Sequence, residues 1–401
     1  MKILVLENEP SSRRGGQELS LLDVCRGLAQ RGHEIYLVYN KTGDLLASYQ
    51  EFCKSLVKVH CFLIDNSNLL TSSIAWLNSV LRVLKISPDL IYVNQHTDTF
   101  FGGTLAQLKN VPLVCHLRYV LPWRFNLQNR LGVKSVTRFI AVSEATRAAY
   151  LGVGFDPKTI EVVYNGIDLE RFAIKDDREQ TRCTLGLPLE AFVVLYAGRI
   201  DPPKNIEMLI QAFAQLDLPA ERTRLLIAGG PLNHPTPEAG ESYIQKLKSL
   251  CDRLAISNRV LWLGRRADLP EVFRAADVSV LPSMLDTFGR TLVESMACGT
   301  PALGLRFGGI PEVLSGEFER FQIEVGDVSG LSELLRSLNG WQQNDPTLGQ
   351  RCRAYAEEHF SVERMVIGVD RVLKQAVRLG AVRLGPSPAT LQSWYRDGAG
   401  I

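Results

Sequence analysis

Short apolar runs alternate with helix-length amphipathic segments along nearly the whole chain. The first run, KILVLE (2–7), has the length and uniform hydrophobicity of a buried strand. A loop containing Gly15-Gly16 follows. Then Glu18 to Arg31 carries Leu19, Leu22, Cys25, Leu28 and Ala29 at helical spacing, and Gly32 closes that helix. EIYLVY (34–39), DLIYVN (89–94), VPLVCH (111–116) and RFIAVS (138–143) continue the series as strands. A second series comprises AFVVLYAG (191–198), RLLIAGG (224–230), RVLWLG (259–264) and VSVLPS (278–283), each followed by a helix-length segment.

Strands that alternate with helices predict parallel sheets joined by right-handed crossovers. The polar, charged stretch Lys175 to Arg182 separates the two series and predicts a boundary near 170–185. The expected organisation is an N-terminal domain over 1–175 and a C-terminal domain over 176–365. A final helix and tail, 366–401, return toward the N-terminal domain. Two doubly wound α/β domains facing across a cleft would offer ligands the carboxyl ends of their strands. After about Gly380 the tail repeats RLG among Gly, Pro and Ser, a composition that predicts loose order.

Length agrees with this division, since 401 residues exceed the size at which single cores stop growing. Apolar residues make up 46% and charged residues 22%, ordinary values for a globular protein, and a net charge of +2 gives no reason to expect nucleic acid as a partner. The eight cysteines are scattered without a Cys-x-x-Cys pair, which argues against a disulfide framework or a zinc site and for a reducing compartment. The apolar run Ile3–Leu6 stops at Glu7, too short for a signal peptide, and no run reaches membrane-span length. A cytoplasmic location is the expectation, with peripheral contact at the inner face of a membrane left open.

The chemistry concentrates in DTFGRTLVESMACGTP (286–301). Asp286 and Glu294 stand eight positions apart across a Phe288-Gly289 turn. TLVESMAC has helical spacing and ends at Gly299 and Pro301. The spacing places Asp286 on the loop entering a helix and Glu294 in its first turn. The N–H groups of Gly289, Arg290 and Thr291 then leave the helix N-terminus, a place suited to phosphate or sugar oxygens. The competing structural reading is a capping box, Thr291-x-x-Glu294, whose Glu only folds back on the helix start.

The ordered set GRIDPPKN, LIAGGP, DTFGRTLVES, CGTP and GGIPE, preceded by GGQE, AVSEATR and VYNGID, resembles the retaining glycosyltransferases of family 4. The resemblance runs over about residues 1–375. It implies the GT-B fold of two Rossmann-like domains and a hexosyltransferase that keeps the anomeric configuration. The C-terminal domain would hold the nucleotide-sugar donor, a UDP-sugar in preference to GDP-mannose. The N-terminal domain would hold a saccharide, lipid-linked or small-molecule acceptor.

Residue by residue, the resemblance gives Arg199 and Lys204 the leaving diphosphate, where two cations neutralise developing charge; Pro202-Pro203 stiffens the loop between them. Gly15 and Gly16 would cap the diphosphate, Glu294 would bind the ribose hydroxyls, and Gly264-Arg265 would meet the base. Phe288, Gly289, Arg290 and Thr291 complete the donor loop, and His116 lies near the sugar. Asp286 stands where the family's pattern has Glu, one methylene and about 1.5 Å shorter, so the sugar and the role of Asp286 stay open. No Asp-x-Asp motif is present and the fold implies no metal or other cofactor. His116, Arg199, Lys204 and Asp286 are therefore the catalytic candidates, and His96 and Arg118 the acceptor-side candidates.

Between Asp98 and Glu144 the chain has no acidic residue but six basic ones, Lys109, Arg118, Arg124, Arg130, Lys134 and Arg138, with Trp123, Phe125 and Leu127 interleaved. Such a segment suits an anionic membrane or an acceptor phosphate, and a solvated loop-helix face is the alternative. Two other functions compete: a nucleotide-sugar 2-epimerase-like isomerase, and a sugar-nucleotide-binding regulator without catalysis. A NAD enzyme is disfavoured, because no Gly-x-Gly-x-x-Gly follows the first strand.

Overall fold

The computed structural model describes residues 1–119, 126–231 and 237–381. Trp123, Arg124, Phe125 and the RLG-containing tail lie outside the described residues.

The chain forms two compact units, Met1–Gly166 with Val362–Ile401, and Ile167–Ser361. The first contains a seven-stranded, wholly parallel sheet in the order β3-β2-β1-β4-β5-β6-β7. Its strands are β1 (Lys2–Glu7), β2 (Glu34–Tyr39), β3 (Ser55–Lys58), β4 (Leu90–Val93), β5 (Leu113–Leu117), β6 (Arg138–Ala141) and β7 (Ile160–Val162). The second contains a six-stranded parallel sheet, β10-β9-β8-β11-β12-β13, from β8 (Phe192–Ala197), β9 (Thr223–Ala228), β10 (Val260–Gly264), β11 (Val278–Leu281), β12 (Ala302–Leu305) and β13 (Gln322–Ile323). In both sheets the order reverses beside the first strand, between β1 and β4 and between β8 and β11. At such a switch point the loops leaving two adjacent strands diverge to opposite faces and open a crevice.

Every residue of β8 and β4 is buried, as the continuous apolar runs require of strands covered on both faces. In the first unit the Val362–Leu379 helix inserts Met365, Val366, Val369, Val372, Leu373 and Ala376 into the core that Ile3, Val5, Leu21 and Leu28 build. These apolar positions recur every three or four residues, one face of a helix. A buried carboxylate fixes the same helix: Asp370 accepts from Arg31 Nε at 3.1 Å, His33 Nε2 at 3.0 Å and Lys374 Nζ at 2.8 Å. Burial alone would raise its carboxyl, but Lys374, Arg31 and His33 outweigh burial and hold it below the ordinary range.

The stretch after Gly166 belongs to the second unit. Ile167 bridges Ser361, Arg353 Nη1 donates to the carbonyls of Leu169 and Phe172, and the Phe172 ring lies 6.3 Å from that of Phe273. Among the described residues no helix is long and apolar enough to cross a membrane.

Candidate functional site: the loops at the two strand-order reversals

In the second unit, the loop leaving β8 carries Arg199 and Lys204, and the loop leaving β11 carries Asp286. They meet at the switch point. Lys204 Nζ donates to Asp286 Oδ2 at 2.6 Å, with side-chain exposures of 11% and 20%. The loops are also joined through backbone, Met284 N to Pro203 O at 2.9 Å. Arg199 Nη1 lies 3.3 Å from Asp201 Oδ2, and the Tyr196 hydroxyl donates to the Arg199 carbonyl. Burial pushes the Asp286 carboxyl up. The Lys204 ammonium, a hydrogen bond with Ser283 and the Arg199 charge more than reverse this and hold it below the ordinary carboxylate range.

The Asp286–Gly289 loop is held from behind. Phe288 is buried with its ring edge-on to Phe360 at 5.5 Å, and Gly309 N donates to Asp286 O at 3.1 Å. A Cβ on Gly309 would stand 2.1 Å from the Thr287 carbonyl oxygen, so only glycine lets these backbones come so close. Gly289, at φ 91, is the N-cap of the Arg290–Ala297 helix and turns the chain into it. The helix buries Leu292, Val293 and Met296 and ends where Gly299 N bonds Met296 O and Thr300 N bonds Ser295 O.

Two sequence expectations are corrected here. The helix starts at Arg290, so Glu294 lies one turn in rather than in the first turn, which contains no acidic residue. No capping box forms either: Thr291 sits inside the helix, and Glu294 Oε1 accepts instead from Arg290 Nε at 2.8 Å, both side chains being largely buried. This i,i+4 pair fixes a carboxylate beside the loop. Gly264 ends β10 and its carbonyl accepts from Gly229 N at 2.8 Å; Arg265 donates to the Pro231 carbonyl.

In the first unit, Gly15 caps the N-terminus of the Gly16–Gln30 helix. Ser12 and Ser11 donate to Asp44, and Arg14 is drawn back to Glu9 and Glu18 at 3.2 and 3.0 Å. His116, fully buried in β5, receives the Tyr92 hydroxyl at 2.6 Å and Arg118 Nη2 at 3.3 Å on one atom, Nδ1. A guanidinium can only donate, so Nδ1 is the acceptor and the proton sits on Nε2. Among the described residues Nε2 has no hydrogen-bond partner. Burial, and then the Arg118 charge, lowers the His116 pKa well below its ordinary value, so the ring stays neutral and offers one N–H.

Arg118 is itself buried. Besides His116 it donates to Asn94 Oδ1 at 2.6 Å, Ser20 Oγ at 2.9 Å and Asn165 Oδ1 at 2.8 Å. It therefore acts as an internal clamp on His116. His96 is buried in the turn after β4, near the Tyr150 hydroxyl at 3.4 Å, and burial lowers its pKa to about 4. Of the other cations expected to form a basic surface, Lys109 and Arg138 donate to the carbonyls of Leu84 and Lys158, and Arg130 and Lys134 are partly exposed.

Sequence reasoning overlooked the carboxyls of this network. Glu7 ends β1, buried, and accepts from Asn94 Nδ2 at 2.9 Å. Burial, with Glu18 and Asp98 nearby, raises its pKa to about 8, and burial raises that of Asp98 to about 7. The available signal was a carboxylate closing an otherwise apolar strand. Because Glu7 takes up a proton on folding, its neutral form is stabilised in the native state. The stability it permits is full below its unfolded value near 4.5 and declines as pH rises toward 8. Glu7→Gln is expected to flatten the fall in unfolding free energy, read from urea titrations, between pH 5 and pH 8, by a change on the order of a few kcal/mol. An unchanged pH slope would show that Glu7 is ionised in the fold.

The model of the glycosyl transferases group 1 matches residues 177–359, and that of glycosyltransferase family 4 matches 14–171. Together they span most of the chain, with a short gap at 172–176. The chain belongs to the group 1 glycosyltransferases.

Among its relatives in that family is the N-acetyl-α-D-glucosaminyl L-malate synthase of Bacillus anthracis, 29% identical over 221 residues, 55% of each chain. The D-inositol 3-phosphate glycosyltransferase of Mycobacterium bovis is 29% identical over 324 residues, 74% of this chain and 65% of that one. The chain thus matches between about half and two thirds of these relatives' own lengths. The Anabaena protein HepE, solved with UDP and glucose, superposes with a TM-score of 0.80 at 25% identity, covering 94% of this chain and all of that one. Its UDP-glucose complex gives 0.79 at 26%. These neighbours are GT-B glycosyltransferases, and this chain shares their fold of two Rossmann-like parallel-sheet domains.

Proposed function

We propose that this chain is a retaining hexosyltransferase that moves a hexose or N-acetylhexosamine from a UDP-sugar to a hydroxyl of a saccharide, lipid-linked or small-molecule acceptor, without a metal. The observation that carries the reading is the Lys204–Asp286 pair with Arg199 beside it at the β8/β11 switch point, next to a helix N-terminus. Preference for UDP rests on the UDP complexes of HepE.

The chemistry follows from where charge develops. As the bond between the anomeric carbon and the phosphate oxygen breaks, negative charge grows on the diphosphate. Lys204 and Arg199 offset it without reorganising, because Asp286, Asp201 and Tyr196 already hold them. The acceptor hydroxyl oxygen forms the new bond on the face that the leaving group vacates, and its proton passes to the departing phosphate oxygen. Asp286, ionised through Lys204, accepts from donor-sugar hydroxyls, and Glu294, steadied by Arg290, accepts from the ribose diol. Neutral His116 donates Nε2–H to a sugar oxygen, and Arg118 and Tyr92 fix its tautomer. On this reading Gly264-Arg265, at the end of β10, meet the base.

Calorimetric titration with UDP and with GDP tests the donor half. Glu294→Ala removes two charge-assisted hydrogen bonds, so UDP affinity is expected to fall roughly 10- to 100-fold. Equal affinity for UDP in Glu294→Ala and in the parent would contradict the ribose assignment, and preference for GDP would overturn the donor.

A further inference from the structure

The Leu69–Val83 helix of the first unit presents its apolar side outward. Its core-facing positions are Trp76, Ser79, Val80 and Val83, and Trp76 donates Nε1–H to the Phe62 carbonyl at 3.2 Å. The opposite face carries Leu70, Ile74, Leu77 and Leu81, which are 77%, 55%, 52% and 53% exposed. Spacings of four, three and four place all four in one narrow stripe. A surface helix normally puts its polar residues there, and no described side chain covers this stripe.

Charge says what covers it. From Asn66 to Pro88 the chain has no acidic residue. At the C-terminal end of the stripe an open groove of about 710 Å³ is lined by Lys58, His60, Asn78, Leu81, Arg82 and Lys85. Arg82 is steadied by donating to the Lys58 carbonyl at 3.0 Å. A second helix, Leu127–Val133, joins the same region: Gln128 exchanges hydrogen bonds with the Ile64 backbone, at 2.9 and 2.6 Å. It too exposes leucines four apart, Leu127 at 71% and Leu131 at 47%, flanked by Arg130 and Lys134.

We propose that this face is a docking surface for a membrane containing anionic phospholipid: the Leu70–Leu81 stripe enters the acyl boundary, and Lys58, Arg82 and Lys85 take headgroup phosphates at its edge. An apolar face bordered by cations is the pattern that suits an interfacial helix, and each cation near an anionic surface adds electrostatic attraction that salt weakens. A second copy of the chain would bring the same cations together, so the charge disfavours that occupant. The proposal stands apart from the donor chemistry and needs neither donor nor acceptor for its test.

The experiment is sedimentation of the full chain with vesicles of phosphatidylcholine alone and of phosphatidylcholine with phosphatidylglycerol. Binding is expected to the anionic vesicles, weakened by salt. Leu70→Ser combined with Leu77→Ser should lower it roughly tenfold or more, and Lys58→Ala combined with Lys85→Ala by a similar factor. Circular dichroism and UDP affinity of the variants serve as controls for folding, since all four side chains are exposed. No vesicle binding, or binding indifferent to the leucine pair, would overturn the proposal. So would a light-scattering mass showing a dimer that the same leucine substitutions dissociate.

Discussion

Lys204→Ala is expected to lower kcat for sugar transfer by roughly 10²- to 10³-fold, the usual effect of removing one preorganised group at a site of developing charge. On the proposed mechanism the loss should appear mainly in kcat, because there the ammonium acts most where the diphosphate gains charge. A second consequence concerns Asp286. Without the ion pair at 2.6 Å, burial dominates its titration, and its carboxyl moves upward from its depressed position. The variant's activity should then acquire an acid limb closer to neutral pH than that of the parent. Lys204→Arg retains the charge and should recover part of the rate. A variant with unchanged kcat and weaker donor binding alone would mean that Lys204 binds ground state and transition state equally.

Asp277→Ala is expected to destabilise the second unit by roughly 3–5 kcal/mol, the cost of leaving a buried cation without its partner. Asp277 accepts from Arg178 at 2.6 Å, Arg182 at 2.8 Å, Val193 N at 2.7 Å and Gln342 at 2.7 Å, and its own carbonyl accepts from Trp341 Nε1 at 2.8 Å. Arg182 has a side chain only 3% exposed, so water cannot replace the lost carboxylate. This one residue pins the segment entering the unit, the start of β8 and the Trp341 turn. Urea unfolding followed by tryptophan fluorescence reads the effect. A change below about 0.5 kcal/mol would show that the site relaxes and admits water.

What was legible in the sequence follows the length and uniformity of the apolar runs. β1, β4, β5, β6, β8, β9 and β11 announced themselves as such runs because a parallel strand covered on both faces has little polar side to show, and β2 and β10 did so although they are only partly buried. β3, β7, β12 and β13 did not. β3 is a half-exposed four-residue edge strand, β7 and β13 have three and two residues, and β12 follows a proline and contains a glycine. Such strands take their identity from a neighbour's free edge rather than from their own pattern.

The site divides in a similar way. Arg199, Lys204 and Asp286 could be picked out because charged residues beside strand ends and glycine turns stand out locally. Their joining at 2.6 Å belongs to the β8/β11 reversal and to no stretch of sequence. Glu294 was legible as a carboxylate but not in its partner: Thr291 three positions before it suggested a cap, while Gly289 took the N-cap and Arg290 took the carboxylate. Glu7 was legible only as a carboxylate closing an apolar strand, since its local sequence gives no hint of Asp98 and Glu18 nearby. The outward stripe Leu70–Ile74–Leu77–Leu81 was equally hidden, since an amphipathic pattern does not state which face meets the core.

The central claim is transfer with retention from a UDP-sugar, without metal. The most direct test is ¹H NMR of turnover with UDP-glucose and UDP-N-acetylglucosamine in the presence of chelator, with a panel of saccharide and lipid-linked acceptors. The account predicts an α-configured product whose formation Lys204→Ala suppresses. A β-configured product, an epimerised nucleotide sugar or turnover abolished by chelator would contradict it.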